Sequence, residues 1–342
     1  MRLSVILPCR NEARYIGACL DSILASEFPR AELEVLVVDG GSDDGTRDIV
    51  AGYSARHPSI RLLENPKGIV PTALNLGIRA AAGEVIMRMD AHVVYPPDYI
   101  PRLLRALDVS GADNVGGCIA TVPAGTGPVA RAIAIALSHR FGVGNSWFRV
   151  GTSSPRLVDT VPFGCYRREV FDRIGMFDEE LVRNQDDEFN HRLIRHGGRV
   201  LLVPGVVARY YPRGSFAQLA RMYYQYGYFK PLVAKKLGRV MTVRQLIPPA
   251  FVLGLFAVGV LALAWAPARP VWLAIAASYA VAVAASVLSA PGARDVGAAL
   301  ALAAAFPVIH GSYGAGFLRG AWDVVVRPHR RWAGPSAVPL SR

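Results

Sequence analysis

Cysteine is scarce in this chain: four in 342 residues (Cys9, Cys19, Cys118 and Cys165), none spaced as CxxC. That argues against a zinc site and a disulfide framework and suits a reducing compartment. Glycine-rich phosphate loops are missing too. No GxGxxG and no Walker lysine is present, which sets aside a nicotinamide oxidoreductase and the P-loop NTPases. The stretch MRLSVILPCR has an apolar run too short for a secretory signal and no small-residue cleavage site, so about the first 240 residues are expected to stay in the cytosol. There is no internal repeat and no low-complexity tract. Acidic residues are outnumbered, 26 against 38 Lys plus Arg, leaving a net charge of +12.

Apolar residues, by contrast, are abundant, at 52% with a mean hydropathy of +0.28. They cluster toward the C-terminal end. Segments 248–267 and 270–290 carry no acidic side chain, and 296–318 holds one His among many small residues. A membrane span needs about 20 apolar residues, so the first two qualify as spans; the third either crosses or is re-entrant. Lys230, Lys235, Lys236, Arg239 and Arg244 stand just before the first segment. This is the position of a cytoplasmic flank on anionic lipid. The basic surplus is therefore assigned to membrane lipid and not to nucleic acid, for which no motif is visible.

The first 200 residues alternate between two periods. LSVILP (3–8), LEVLVVD (33–39), SIRLLE (59–64) and EVIMRMD (84–90) read as buried strands; 12–24, 43–56 and 69–82 read as helices between them. Strands alternating with helices imply a parallel sheet covered on both faces, an α/β fold whose ligands lie beyond the carboxyl ends of the strands. Arg10, Asn11, Asp39, Asp90 and His92 all fall there. Further on, 127–141 reads as an apolar helix, 142–158 as a Gly- and Ser-rich loop, 184–197 as a helix with an acidic head, and 215–237 as an amphipathic, Tyr-rich interface helix. The domain reading is a catalytic domain over 1–212, the interface helix region over 213–246, about three membrane segments over 247–320, and a basic tail over 321–342.

Three acidic features carry chemistry. Asp39 closes a strand in VVDGGSDDGT, where glycines allow close backbone approach. Its carboxylate suits a base N–H or a ribose hydroxyl; the plainer role is a helix-capping loop with Ser42 or Asp43 as the cap. Asp90 and His92 end a strand in IMRMDAH. Residues i and i+2 of an extended chain share a side, so the pair can converge on a cation, a sugar hydroxyl or water. Asp186, Asp187 and Glu188 open a helix, where acidic residues otherwise serve the helix dipole.

Taken in order, VILPCRNE, VVDGGSDDGT, GIVPTALNLGIRAAAGEVIMRMDAH, FGCYRREVFDRIGMFDEEL and QDDEFNHRL resemble the inverting family-2 glycosyltransferases of GT-A fold. The DAH, NQDDEFNHRL and QYGYFK wording, with trailing apolar helices, is similar to the succinoglycan-biosynthesis glucosyltransferase-like subgroup. The resemblance implies a Rossmann-like nucleotide-sugar domain over about residues 3–202. It implies that Pro8, Arg10, Asn11 and Glu12 form the first donor loop, and that Asp39 reads uracil or ribose. It implies that Asp90 and His92 stand for the DxD site that handles ribose, diphosphate and a divalent metal, Mg²⁺ or Mn²⁺. His in place of the last Asp is a departure. Asp186 aligns with the catalytic base of the EDxDLxxRL pattern, with Asp187 the candidate if the register slips by one. Gln185 replaces the acidic neighbour, which implies a less raised pKa for the base. Gln225 and Lys230 lie near where related synthases carry QxxRW, with different spacing.

The expected activity is transfer of a hexose from a nucleotide-sugar donor, UDP-linked, to a hydroxyl of a lipid-linked or glycan acceptor. The expected place is the cytoplasmic face of the cell membrane, in exopolysaccharide or envelope glycan synthesis. The rival readings are a polyprenyl-phosphate hexosyltransferase and a catalytically inactive membrane assembly subunit. The sequence does not fix the oligomeric state.

Overall fold

The computed structural model describes residues 2–212, 214–239, 242–293 and 295–326. The chain opens with β1 (Leu3–Cys9), α1 (Ile16–Leu24), β2 (Leu33–Asp39), α2 (Thr46–Arg56), β3 (Ile60–Glu64), α3 (Val70–Ala80) and β4 (Val85–Arg88). All seven residues of β2 are buried, which accounts for its unbroken apolar run. β1 pairs in parallel with β2 and β4, and β2 with β3. Register sets Cys9 beside Asp39 and Asp39 beside Glu64. The first three strands thus end level, and their following loops share one edge.

The next elements are β5 (Val93–Val94), α4 (Tyr99–Ser110), β6 (Asn114–Thr121), α5 (Pro128–Ala136), α6 (Arg140–Val143), α7 (Trp147–Val150), β7 (Arg156–Leu157), β8 (Cys165–Arg167), α8 (Glu169–Ile174), α9 (Gln185–Arg195) and β9 (Val200–Tyr210). The sheet runs β3-β2-β1-β4-β8-β6-β9-β5, with β7 also on β9. The expected parallel pairing holds for β1 to β4 and again between β6 and β9. β8 is antiparallel to both β4 and β6, and β5 and β7 are antiparallel to β9. α1 and α4 cover one face, through Ile16, Leu20, Tyr99 and Leu103. α3, α8 and α9 cover the other, through Leu74, Phe171, Phe189 and Leu193.

Other expectations shift by a few residues. The helix expected from 12 begins at Ile16 and the one from 43 begins at Thr46. The apolar stretch 127–141 breaks into α5 and α6, and the Gly- and Ser-rich loop contains α7 and β7.

Last come α10 (Phe216–Leu237), α11 (Ile247–Ala264), α12 (Ala268–Leu288) and α13 (Val296–Val326). Three helices, Val243–Ala264, Ala268–Leu288 and Val296–Val326, are long and apolar enough to cross a membrane. The third is one continuous helix through Pro307, without the break a re-entrant hairpin needs. α10 lies between the catalytic layer and α13. It packs against α13 through glycine: a Cβ at Gly316 or Gly320 would stand 2.1 Å from the carbonyl oxygen of Tyr224 or Tyr228. Of the basic tail, 321–326 complete α13 and 327–342 lie outside the described residues.

Candidate active site

β4 delivers Arg88 at its last residue, and the chain then leaves the sheet, so Asp90 and His92 sit in an irregular turn. The extended-strand argument for their convergence therefore does not apply. What joins them to the site is Arg88. Its Nε donates to Asp90 Oδ1 at 3.0 Å and its Nη2 to Oδ2 at 3.3 Å. Its Nη1 donates to Asp186 Oδ2, in the first turn of α9. One guanidinium, 13% exposed, thus clamps two carboxylates from distant parts of the chain.

The two carboxylates titrate in opposite directions. Burial pushes Asp90 up, but Arg88, His92 and Arg183 outweigh it, and its pKa lies below the ordinary value. Burial pushes Asp186 up as well; Arg88 opposes, while Asp90 and Asp187 add repulsion, and the result is a raised pKa. Two carboxyl groups driven apart in this way are the pattern of a site with distinct acid–base roles. Burial raises the pKa of Asp186 although Gln185 stands where an acidic neighbour was expected. Asp186 Oδ1 is buried without a hydrogen-bond partner among the described residues. Asp187 is instead ion-paired to Lys230 of α10.

His92 is fixed from behind. Its Nδ1 lies 3.1 Å from Glu12 Oε1, and its ring meets Tyr210 edge-on at 5.3 Å between centroids. Glu12 belongs to the loop after β1, so this contact ties the first loop to the 88–92 turn.

The rest of that loop is braced against the loop after β2. Asn11, at φ 54°, accepts from the Asp43 amide at 3.0 Å through Oδ1, and its own amide donates to Ser42 Oγ at 2.8 Å. The Glu12 amide donates to Thr46 Oγ1 at 2.8 Å. Asp39, 1% exposed, accepts from the amides of Gly41 and Ser42 at 3.0 Å each and from the Ser42 hydroxyl. Asp39 therefore organises its own loop. Neither Ser42 nor Asp43 caps α2; the acceptor at its start is Asp44 Oδ1, 3.0 Å from the Thr46 amide. Pro8 sits in β1 opposite Val38. Arg10 lies beside Gly40 and over Gly68, where a Cβ on Gly68 would stand 3.1 Å from its Nη1.

α10 brings the two remaining expected residues to the same side. Lys230 reaches Asp187, and the fully buried Gln225 accepts from Arg183 Nε at 3.1 Å. Next to Arg183, Asn184 adopts φ 62°, a left-handed conformation that Asn tolerates, and its Nδ2 donates to Tyr226 O at 2.9 Å. The head of α9 is thereby pinned to α10. Its far side is pinned by Arg192, which pairs with Glu188 at 2.7 Å and donates to Met176 O at 2.8 Å.

A cavity of about 670 Å³ opens from this centre. Its lining joins Arg88, Asp90, His92, Asp186 and Asp187 to Phe251 of α11, Tyr279 of α12 and Tyr313 of α13. Pro8, Arg10, Asn11, Glu12, Asp39 and Gln225 lie outside its lining and border it through the Glu12–His92 and Arg183–Gln225 contacts.

Sequence reasoning missed Arg88, Arg183 and Asn184. Arg88 had a visible signal: a lone cation within an otherwise apolar strand has to find anions. Arg183 and Asn184 had none.

The glycosyl transferase family 2 model matches residues 4–175. Among curated proteins, the succinoglycan biosynthesis protein ExoA of Rhizobium meliloti is 31% identical over 323 residues, 93% of this chain and 94% of that protein. The chain belongs to glycosyl transferase family 2. A second relative is 27% identical over 244 residues, 68% of this chain and 74% of its own length. It is the dolichyl N-acetyl-alpha-D-glucosaminyl phosphate 3-beta-D-2,3-diacetamido-2,3-dideoxy-beta-D-glucuronosyltransferase of Methanococcus voltae. Among solved structures, a mannosyltransferase from Pyrobaculum calidifontis, in complex with GDP-Man and Mn²⁺, superimposes with a TM-score of 0.56 at 24% identity, covering 94% of this chain and 87% of that one. The fold is GT-A and the chain is a glycosyltransferase.

Proposed function

We propose that this family-2 glycosyltransferase is a membrane-bound, inverting enzyme. It moves a hexose from a UDP-linked sugar to a hydroxyl of a lipid-linked acceptor, for exopolysaccharide or envelope glycan synthesis. The observation that carries this reading is one cavity lined both by Asp90, His92 and Asp186 and by side chains of the apolar helices. A soluble acceptor has no need of such a wall. The relative that acts on a dolichyl-phosphate sugar supports the lipid-linked class.

In this reading the loops after β1 and β2, with Arg10, Asn11 and Asp39, receive the nucleoside. Asp186, its Oδ1 unanswered, accepts the proton of the acceptor hydroxyl as that oxygen attacks the anomeric carbon opposite the diphosphate. Arg88 holds Asp186 in place and keeps the negative charge of Asp90 compensated. Lys230 occupies Asp187, which leaves Asp186 as the base. Two protein donors suit a divalent cation, Mg²⁺ or Mn²⁺. The Asp90 carboxylate is one; His92 is the other, its Nδ1 engaged by Glu12 and its Nε2 left for a ligand, as in carboxylate–histidine–metal arrangements. Among the described residues no group of three or more His, Cys, Asp or Glu forms a cation site, so such an ion would draw its other ligands from phosphate oxygens and water. When bound, it supplies charge compensation to the departing diphosphate.

The contacts of α13 support a reading of sidedness. Just ahead of it, Asp295 pairs with Arg131 of α5 at 3.1 Å; near its end, Asp323 accepts from Tyr228 of α10 at 2.8 Å. A helix with both ends on one domain leaves both ends on that domain's side. In this reading α11 and α12 are the two crossings, and Arg319 stays on the side of the catalytic domain, the cytoplasm, as the positive-inside rule prefers. An enzymatically active alkaline phosphatase fused after residue 342 would contradict this topology.

The test of the activity is to incubate membranes holding the chain with a panel of labelled UDP- and GDP-sugars and extract lipid. One donor should label the lipid fraction. Label found only as free sugar, or from no donor, would overturn the proposal.

A further inference from the structure

The cavity holds more cations than its carboxylates use. Arg88 is occupied by Asp90 and Asp186, Lys230 by Asp187, Arg183 by Gln225, and Arg244 by Asp159 at 2.9 Å. Arg140 and Arg149 line the same cavity and have no carboxylate partner among the described residues. Both rest on aromatic faces. Arg140 lies 5.2 Å from the Trp147 ring, and Arg149 lies 5.5 Å from Phe148 and 5.4 Å from Tyr210. Arg149 Nη1 is buried with no hydrogen-bond partner among the described residues. A buried guanidinium N–H left unanswered is unfavourable until an acceptor arrives. Stacking fixes the plane of the guanidinium and leaves its edge for a bidentate anion such as phosphate.

Two phosphate sources reach this cavity in a lipid-dependent glycosyltransferase, the donor diphosphate and the acceptor's own phosphate. The position favours the second. The turn holding Asp90 and His92 serves the donor end. Arg140 and Arg149 belong to the α6–α7 segment, which the apolar helices hold: His310 of α13 bridges Phe141 O at 2.8 Å and Tyr279 of α12 at 2.9 Å. Arg140 thus stands where the catalytic layer meets the apolar wall, the level at which a membrane lipid carries its charged head; Arg149 stands between that level and the donor turn, because the Tyr210 ring it rests on also meets His92.

We propose that Arg149, aided by Arg140, binds the phosphate of a polyprenyl-type lipid that carries the acceptor sugar. This rests on the lipid-acceptor reading above and adds the residues that recognise the lipid head.

The probe is farnesyl diphosphate in detergent micelles, titrated onto the full chain with UDP saturating, and farnesol as the uncharged control. The wild-type chain should bind the diphosphate well above farnesol. Arg149→Gln should weaken that binding by tenfold or more, Arg149→Lys by less, and UDP affinity should be unchanged in both. Arg140→Gln provides a second reading should Arg149→Gln not fold, and should also weaken farnesyl diphosphate binding selectively. If the variants lose UDP affinity in parallel, the arginines serve the donor and the proposal falls. It also falls if farnesol and farnesyl diphosphate bind alike while UDP binds, an outcome that leaves the transferase reading intact. A chain that binds farnesyl diphosphate through Arg149 but no UDP keeps the anion site and defeats the UDP-linked donor of the proposed function instead.

Discussion

In the loops after β1 and β2, the polar atoms answer one another: Asp39 holds Gly41 and Ser42, Asn11 holds Asp43, and Asp44 holds Thr46. Across the site most groups are paired as well, but some are left over. Asp186 Oδ1, Arg149 Nη1 and Tyr313 Oη are buried with no partner among the described residues, and all three residues line the one cavity. The first region is a scaffold preformed by its own hydrogen bonds. The second carries desolvated groups whose partners are expected to be substrates, and native proteins keep few such groups without a reason. The first region should therefore carry structure alone, and the second should carry the chemistry, with the Arg88 clamp as its structural anchor.

The largest expected effect is at Asp186. Asp186→Asn keeps the shape and removes the proton acceptor, so turnover at saturating donor should fall by about 10²–10⁴. Asp187→Asn, held by Lys230, should be milder. Burial disfavours the ionised form of Asp186. Its contribution to stability is thus complete below the ordinary carboxylate pKa and is lost as pH rises through the raised one. Asn does not ionise, so thermal unfolding of Asp186→Asn at neutral pH should come at an equal or higher temperature than wild type. In the wild type the acid limb of the turnover profile should lie above the ordinary carboxylate range.

Arg88→Ala comes next. It leaves two half-buried carboxylates without their shared cation, a loss expected to exceed the roughly 1 kcal/mol of an exposed ion pair. Chemical denaturation in detergent should show it, and Arg88→Lys should recover part. His92→Ala should weaken nucleotide binding in Mn²⁺ by about 10–100-fold, the range seen when the shell around a bound metal is disturbed, and leave metal-free binding alone. Equal UDP affinity in Mn²⁺ for variant and wild type would remove His92 from the metal site. The smallest effect is Asp44→Ala. It should lose about 0.5–2 kcal/mol, as capping acceptors do, with little change in turnover per folded molecule. If Asp44→Ala lost turnover as severely as Asp186→Asn, the division between scaffold and chemistry would fail.

How far the sequence reveals these regions follows the same division. β1 to β4 are runs whose period and punctuation are local, so their positions, Asp39 at the end of β2 and Asp90 just beyond β4 are legible directly. The second half of the sheet is not, because β8 owes its antiparallel place to pairing with β4 and β6, contacts far apart in sequence. The Asp90–Arg88–Asp186 clamp joins residues about a hundred positions apart. Motif order points to its two carboxylates; nothing local points to the guanidinium between them. The 296–318 segment shows its apolar character, but its attachment to α5 and α10 depends on Asp295–Arg131 and Asp323–Tyr228, which no periodicity encodes.

The central claim is that Asp186 drives one direct displacement at the anomeric carbon. It is tested most directly by the anomeric configuration of the transferred sugar, read by proton NMR on the isolated product and compared with that of the donor. A single base-assisted attack predicts inversion. Retention of configuration would contradict the account, because it would require a different displacement chemistry from the one Asp186 is assigned.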